Sequence, residues 1–334
     1  MSLDKISILM PFKNTAEFLP ECLDSVLEQN YINWELLAVD DHSSDQSRAI
    51  LTSYAKEDER VTVVDNDGSG IIPALRTAYA ISNGNLITRM DSDDLMAKTK
   101  LERMANRLVM ARPGHVALGQ VKYFSSTGIS DGYARYEKWI NDLTANGNNY
   151  NEIYKECVIP SPCWMVYRQD LDAVGAFTPN RYPEDYDLTF RFYQYRLRCI
   201  PCSQVLHMWR DYPTRTSRTS KHYAQNYFLD IKVHYFLKLD RNLHRPLVIW
   251  GAGAKGKTIA QLLLKNNVEF HWLCDNPKKI GKKIYGCELL PFTFMETLKN
   301  PQSIISVANT EAQKDIRHYL KGLGLDSADF FFFC

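Results

Sequence analysis

The sequence holds no run of about 18 apolar residues, so no segment reads as a membrane-spanning helix. Its opening residues, Met1 to Lys5, lack the apolar stretch of a secretion signal, and the expectation is a cytoplasmic chain. A charge excess is also missing: 40 Lys and Arg stand against 39 Asp and Glu, a formal net charge of +1. No global field draws in nucleic acid, and no nucleic-acid partner is expected. The eight cysteines are scattered and form no disulfide framework. Cys199 and Cys202 make a lone C-x-x-C, without the second pair or nearby histidine pair that a zinc site needs. They read as half-buried thiols. No repeat is visible, and the one low-complexity tract is Phe330 to Phe333.

What is present is enough for two domains. The chain has 334 residues, 45% hydrophobic and 24% charged. The first hundred residues alternate strand and helix patterns. Strands are expected over 6–10, 34–39, 61–64 and 86–90, and helices over 17–28, from Ser43 or Ser44 to about Lys56, and from Gly70 to about Asn83. This rhythm predicts an α/β fold with a parallel, doubly wound sheet flanked by helices. Residues 119–154, rich in Tyr, Asn and Gly, read as an irregular surface insertion, and a helix is expected over 221–239. The domain expectation is 1–220, a helical connector over 221–245, and a second α/β domain over 246–334.

Ligands of such sheets bind beyond the carboxyl ends of the strands. Strand ends here deliver carboxylates twice, at Asp40-Asp41 and at Asp91-Ser92-Asp93-Asp94. A carboxylate at a strand end can hold Mg²⁺ or Mn²⁺ together with phosphate oxygens and water. The bland alternative is that these acids cap a following helix over 95–111. The coincidence of two acid pairs after two parallel strands favours the metal reading.

With these residues in view, the N-terminal part resembles the family 2 inverting glycosyltransferases of the glycosyltransferase A fold. The likeness rests on ordered blocks: Ile-Ser-Ile-Leu-Met-Pro-Phe-Lys-Asn at 6–14, Phe-Leu-Pro-Glu-Cys-Leu-Asp-Ser-Val-Leu-Glu-Gln at 18–29, Glu-Leu-Leu-Ala-Val-Asp-Asp-His-Ser-Ser-Asp at 35–45, Gly-Asn-Leu-Ile-Thr-Arg-Met-Asp-Ser-Asp-Asp at 84–94, Val-Gly-Ala-Phe at 174–177 and Pro-Glu-Asp-Tyr-Asp-Leu-Thr-Phe-Arg at 183–191. The resemblance implies a metal-dependent transfer of sugar from a nucleotide-sugar donor, with a UDP-sugar favoured. It implies a saccharide or lipid-linked saccharide acceptor, and with the latter a peripheral contact at the inner membrane face. Pro11 would line the nucleoside pocket, Asp41 would bind the base, and Asp91 would lie near ribose and sugar. Asp93 would ligate Mn²⁺ or Mg²⁺, and Asp185 would be the general base, with Glu184 and Asp187 as competitors. Arg210, or a histidine near it, would reach the diphosphate. The stretch around Arg210, Arg215 and Arg218 suits a loop closing over a donor, a solvated basic loop, or a site for a lipid-linked diphosphate. Trp164, in the acceptor region, could stack on a sugar or fill the core. Arg76 departs from the family pattern, where Asn is common, and Lys98 stands where Pro is common.

Two rival readings compete with this one. A nucleotidyltransferase needs a glycine-rich basic loop after its first strand, and here Pro-Phe-Lys-Asn follows. A non-catalytic nucleotide-sugar-binding protein has no need to keep Asp41, Asp91, Asp93 and Asp185 together. Residues 247–256 form a strand followed by Gly251-x-Gly253-x-x-Gly256, and Asp275 closes the next strand. That is the context of a dinucleotide-binding turn. The module is half of a full dinucleotide fold and lacks a Tyr-x-x-x-Lys couple, so nucleotide binding and a structural or docking role stay open. Lys278, Lys279, Lys282 and Lys283 form a basic patch or a solvated turn.

Overall fold

The computed structural model describes residues 4–219 and 228–334. The chain divides into two compact units, one built from residues up to Tyr150 with Val158–Arg215, the other from Asn151–Cys157 with Thr216–Cys334. The segment Asn151–Cys157 lies inside the stretch that the sequence reading gave to the first domain.

The first unit carries an eight-stranded mixed sheet in the order β3-β2-β1-β4-β7-β6-β8-β5. Its strands are β1 (Ile6–Phe12), β2 (Trp34–Asp40), β3 (Val61–Asp65), β4 (Leu86–Arg89), β5 (Leu95–Met96), β6 (His115–Phe124), β7 (Trp164–Tyr167) and β8 (Arg198–Arg210). The helices are α1 (Leu19–Leu27), α2 (Ser47–Glu57), α3 (Ile71–Ile81), α4 (Lys100–Ala111), α5 (Asp131–Asn146), α6 (Arg168–Ala173) and α7 (Glu184–Gln194). β1 and β2 are nearly continuous apolar runs because helices cover both faces of a parallel sheet. β1 pairs in parallel with β2 (Phe12 opposite Asp40) and with β4 (Leu9 opposite Arg89). β7 is antiparallel to both β4 and β6, and β6 is parallel to β8. Six strands, β1 to β4, β6 and β8, therefore run the same way. Asp40-Asp41 and Asp91–Asp94 leave the sheet at one common edge.

Three expectations are corrected. Residues 119–154 are not an irregular insertion: they complete β6 and form α5. Ser130 caps α5 by accepting the Tyr133 N–H, and Gly147 closes it at φ +65°. Tyr133, Tyr136, Trp139 and Ile140 give the helix an inward face, which the surrounding Asn and Gly residues masked in the sequence. Residues 95–111 are not one helix. Leu95–Met96 pairs antiparallel with Met208 and His207, and α4 begins at Lys100, so the acids at 91–94 do not cap it. Ser43 and Ser44 do not cap α2. They bond Asn14 instead, tying the loop after β1 to the loop after β2 (Asn14 N to Ser43 Oγ 3.1 Å, Ser44 N to Asn14 Oδ1 2.7 Å).

The second unit is a six-stranded sheet ordered β11-β12-β10-β9-β13-β14. It comprises α8 (Thr216–Thr219), α9 (Leu229–Tyr235), β9 (Leu247–Trp250), α10 (Ala254–Lys265), β10 (His271–Cys274), β11 (Lys283–Ile284), β12 (Cys287–Pro291), β13 (Gln302–Ile305), α11 (Thr310–Gly322) and β14 (Phe330–Phe332). All neighbours pair in parallel except β11 with β12. The terminal phenylalanine run is the edge strand β14, and the Tyr154 ring stacks on Phe333 at 5.2 Å. Of the helix expected over 221–239, α9 and a π-helical turn over Phe236–Asp240 are seen. Residues 220–227 lie outside the described residues.

Glu35 closes the amino edge of the first sheet. Its carboxylate accepts from Lys5 Nζ (2.5 Å), Ser7 Oγ (2.6 Å) and the Asn83 N–H (2.6 Å). Burial alone would push its pKa up, but Lys5, Ser7 and Asn83 outweigh it and hold the group below the usual glutamate value. A depressed folded pKa adds stability above the unfolded pKa and loses it as pH falls through the folded one. Glu35→Gln should therefore unfold more easily at pH 7, by about 1.5–3 kcal/mol. Denaturant titrations should show that gap closing as pH drops below about 4.

Candidate active site

β4 is a short apolar strand that ends in an arginine. Arg89 is buried, and a buried guanidinium needs carboxylate partners. It has two. Its Nε donates to Asp91 Oδ1 at 2.8 Å, and its Nη1 donates to Glu184 Oε1 at 2.9 Å. Arg89 and Asp91 are two residues apart at the strand end. Glu184 opens α7, 95 residues after Arg89, so one arginine brings together two acidic motifs far apart in sequence.

This clamp sorts the three acids of α7. Glu184 is buried on Arg89. Asp187 is buried on Arg191 (Nε to Oδ2, 2.8 Å), whose Nη1 also holds the carbonyls of Val174 and Ala176. Asp185 stays half-buried, with the Tyr186 N–H on Oδ1 at 2.7 Å. Burial and the neighbouring charges of Glu184 and Asp91 push the Asp185 carboxyl up to about 7, against the pull of Arg89 and the Tyr186 N–H.

The acids after β4 split in the same way. Asp94 is fully buried and accepts from the Arg210 backbone N–H (2.7 Å) and from His207 Nε2 (2.9 Å). His207 is equally buried, and burial, then Lys100, drives its pKa well below the usual value. A neutral ring donates from Nε2 and accepts the Lys100 ammonium at Nδ1 (3.2 Å), and Lys100 also donates to the Pro162 carbonyl (2.6 Å). Asp93 is half-buried, with the Tyr212 hydroxyl donating to Oδ2 at 2.8 Å. Burial and the charges of Asp94 and Asp91 push Asp93 up to about 7, opposed by Arg215 and Tyr212. Burial would lower the pKa of the half-buried Arg215, but Asp94 and Asp93 raise it, so the guanidinium stays charged.

On the other side, Asp41 is fixed by three donors: Asn66 Nδ2 (2.7 Å) and the Gly70 N–H (2.8 Å) on Oδ1, and Lys13 Nζ (3.3 Å) on Oδ2. Gly70, at φ +91°, adopts a backbone that favours glycine. Pro11 lies half-buried in β1 opposite Val39. Asp41, Asp91, Asp93 and Pro11 thus share the carboxyl edge of β1, β2 and β4.

Other expected site residues sit differently. His207 has both ring nitrogens engaged in the core and is not free to reach a diphosphate. Arg210 is spent on the loop: its Nε donates to the Asp93 carbonyl (2.8 Å), its Nη2 to Glu21 (2.5 Å), and its guanidinium lies over Phe18 and Phe124. Trp164 is buried in β7, edge-on to Phe192, a core position rather than an open sugar platform. Arg76 binds the carbonyls of Phe177 and Thr178 and the Asn180 side chain, fixing the approach to α7. In the second unit, Gly251 has φ +98°, and a Cβ on Gly256 would lie 2.0 Å from the Gly251 carbonyl. Those two glycines let α10 close on β9. A Cβ on Gly253 would meet open space, and Asp275 is exposed.

Sequence reasoning missed Arg89, Lys100, Tyr212 and Asn66 as members of the site. Arg89 carried a signal, because a lone cation in an apolar strand two residues before an acid asks for that acid. Lys100 lay in the helix expected over 95–111, with nothing to mark its burial.

The donor set suits a hard cation. Asp93 offers carboxylate oxygen, and Asp94 and Asp91 crowd it with negative charge that a cation would answer. Among the described residues no group of three or more His, Cys, Asp and Glu is arranged to hold a metal unaided. A cation at Asp93 would take further ligands from phosphate oxygens and water, as Mg²⁺ and Mn²⁺ do.

The fold and the strand-end acids of the first unit define a glycosyltransferase A-type domain, and the second unit is a smaller α/β sheet. Residues 7–175, half of the chain, match the family described as Glycosyl transferase family 2, and the chain belongs to that family. GlyA, a glycosyltransferase of Streptococcus pneumoniae serotype 4, is 26% identical over 215 residues, covering 62% of this chain and 30% of GlyA. WfgD of Escherichia coli, a UDP-Glc:alpha-D-GlcNAc-diphosphoundecaprenol beta-1,3-glucosyltransferase, is 32% identical over 162 residues, 46% of this chain and 56% of WfgD. The chain thus spans less than two thirds of either relative. S. aureus TarS 1–349, solved with UDP-GlcNAc, superposes with a TM-score of 0.57 at 18% identity, over 78% of this chain and 71% of TarS, and shows the fold. No described helix is long and apolar enough to cross a membrane.

Removing Arg89 leaves the buried Glu184 and the half-buried Asp91 unmatched. Arg89→Met should cost about 3–5 kcal/mol in denaturant unfolding. Arg89→Lys, which keeps the charge but not the fork, should lose less. Equal stability of Arg89→Met and wild type would show that the clamp carries no load.

Proposed function

We propose that this chain transfers a sugar, with inversion at the anomeric carbon, from a nucleoside-diphosphate sugar to an acceptor hydroxyl of a surface polysaccharide or lipid-linked saccharide. The observation that carries this reading is the Arg89 clamp. It sets the donor-side acid Asp91 and the acid pair of α7 around one guanidinium at the carboxyl edge of the sheet. A hexosyl group from a UDP-sugar is the favoured cargo. WfgD, by its name, uses UDP-Glc, and TarS was solved with UDP-GlcNAc, which supports a uridine donor here. Residues 1–220 would form the catalytic domain and 246–334 an accessory module.

Asp41 would accept the ring N–H of the base, since its three donors hold the carboxylate in one orientation. Pro11 would flank the nucleoside, and Asp91 would face ribose and sugar. Asp93 would hold Mn²⁺ or Mg²⁺, which when bound supplies charge neutralisation to the departing diphosphate. Asp185 would take the proton of the acceptor hydroxyl as that oxygen attacks from the face opposite the leaving group. Its raised pKa suits a base working near neutrality, and its partial exposure leaves it open to an acceptor.

The reading predicts that Asp185→Asn abolishes sugar transfer while donor binding persists. A wild-type rate in that variant would remove Asp185 from the chemistry. The base must be ionised to act, so kcat/KM should rise with pH and level off above about 7, falling about tenfold per unit below it. A flat profile from pH 5 to 8 would exclude such a base. Thermal shift against a nucleotide-sugar panel, with and without Mn²⁺, should show a UDP-sugar stabilising wild type in the presence of metal and failing to do so in Asp93→Asn.

A further inference from the structure

The opposite edge of the first sheet has a composition of its own. Among the described residues of the first unit, six large hydrophobic side chains are exposed. Five of them, Ile32 (70%), Ile81 (38%), Val109 (49%), Met110 (80%) and Tyr195 (50%), sit in the connections that enter β2, β4, β6 and β8. Those strands run the same way, so all five lie at the amino edge, away from the carboxylates. The sixth, Val205, lies within β8.

Arginines accompany them. Arg107, Arg112, Arg196 and Arg198 are all exposed. One backbone bond and two from side chains tie their segments together: Arg198 N–H to the Gly114 carbonyl (3.0 Å), His115 Nδ1 to the Arg112 carbonyl (3.0 Å), and Arg107 Nη2 to the Pro201 carbonyl (2.8 Å). The carboxylate of Asp170 beside them accepts the Gly114 N–H (2.8 Å). Two of these arginines occupy positions that suit glycine. Arg112 follows α4 at φ +69°, ψ 178°, and Arg196 follows α7 at φ +58°. Such backbones cost a side-chain-bearing residue about 1–3 kcal/mol, and the residue just past a helix is where glycine is favoured. Both strained positions carry an exposed cation.

We infer that this amino edge docks on an anionic lipid surface, with Arg112, Arg196 and Arg198 against headgroups and Met110 and Tyr195 at the acyl boundary. Arginines beside exposed apolar side chains are the chemistry of interfacial binding. The apolar residues are single and spread from β2 to β8, five strand spacings or about 24 Å. A protein interface needs a contiguous packed core, which this row does not form. A second copy across a two-fold axis would set the arginine cluster against itself. The inference stands apart from the assignment of donor and acceptor.

Sedimentation of the full chain with phosphatidylcholine vesicles, plain or with 30% phosphatidylglycerol, at low salt and in 0.5 M NaCl, tests it. Binding should need phosphatidylglycerol and fall in high salt. The double variant Arg112→Gly, Arg196→Gly should bind about 25-fold more weakly, roughly fivefold per arginine. Because glycine relieves both backbones, its Tm should equal or exceed that of wild type, so loss of binding cannot be put down to misfolding. Met110→Ser should also weaken binding. Equal binding to plain vesicles, undiminished binding by the double variant, or a concentration-dependent dimer that the double variant abolishes would each overturn the assignment.

Discussion

The geometry of the candidate site depends on the burial of one cation. Arg89 sits in a strand whose other residues are apolar or small, and its charge has no outlet to water. Two carboxylates must come to it. Asp91 is at hand, because residues two apart on an extended strand share a face. Glu184 has to come from α7, so satisfying Arg89 fixes the start of that helix at the carboxyl edge of the sheet. The clamp also sets an electrostatic contrast. Glu184 pairs with Arg89 and at the same time bears on Asp185, the next residue. Burial of Asp185, with Glu184 next to it, leaves that carboxyl with a raised proton affinity, the condition that a base near neutral pH requires.

The loop after β4 follows the same logic. Asp94 is buried and held by His207 and the Arg210 N–H, and the Lys100 ammonium behind His207 anchors it to the Pro162 carbonyl. This chain of bonds crosses from α4 to β8 and fixes Asp94, which in turn limits where Asp93 can go. In both motifs, of two adjacent acids one is locked into the core and the other stays half-exposed. A stretch of acids that looks redundant in sequence is divided between scaffold and site.

The fold was legible where periodicity was strong. The strands at 6–12, 34–40, 61–65 and 86–89 carry dense apolar runs that end in turn or acidic residues, and their order announced the sheet. The α5 region was not legible, because its inward face is made of tyrosines and a tryptophan among polar residues, a composition shared with surface loops. The pairing of Leu95–Met96 with β8 could not be foreseen either, since two residues carry no period and the pairing is set more than a hundred positions away. At the candidate site, Asp41, Asp91, Asp93 and Asp185 stand out in the sequence because strand ends and family blocks mark them. Their partners were not. Tyr212, Lys100 and Asn66 are ordinary residues that become informative only when the fold brings them to a carboxylate. Trp164 and His207 show the converse, as residue types associated with ligand binding that the fold uses for packing and for an internal hydrogen bond.

A sheet of mostly co-directional strands has two unlike edges, and this chain uses each differently. At the carboxyl edge, chain segments leave the sheet with acids and convergent N–H groups, and the charge there is negative and crowded. At the amino edge, segments arrive from helix ends, where left-handed closing residues, cations and stray apolar side chains collect. Backbone strain at Arg112 and Arg196 is confined to that second edge and contributes nothing to the acid cluster. Substitutions at one edge can therefore change charge and exposure while leaving the bonds of the other intact. This separation lets a binding surface and a candidate catalytic centre vary independently on one sheet.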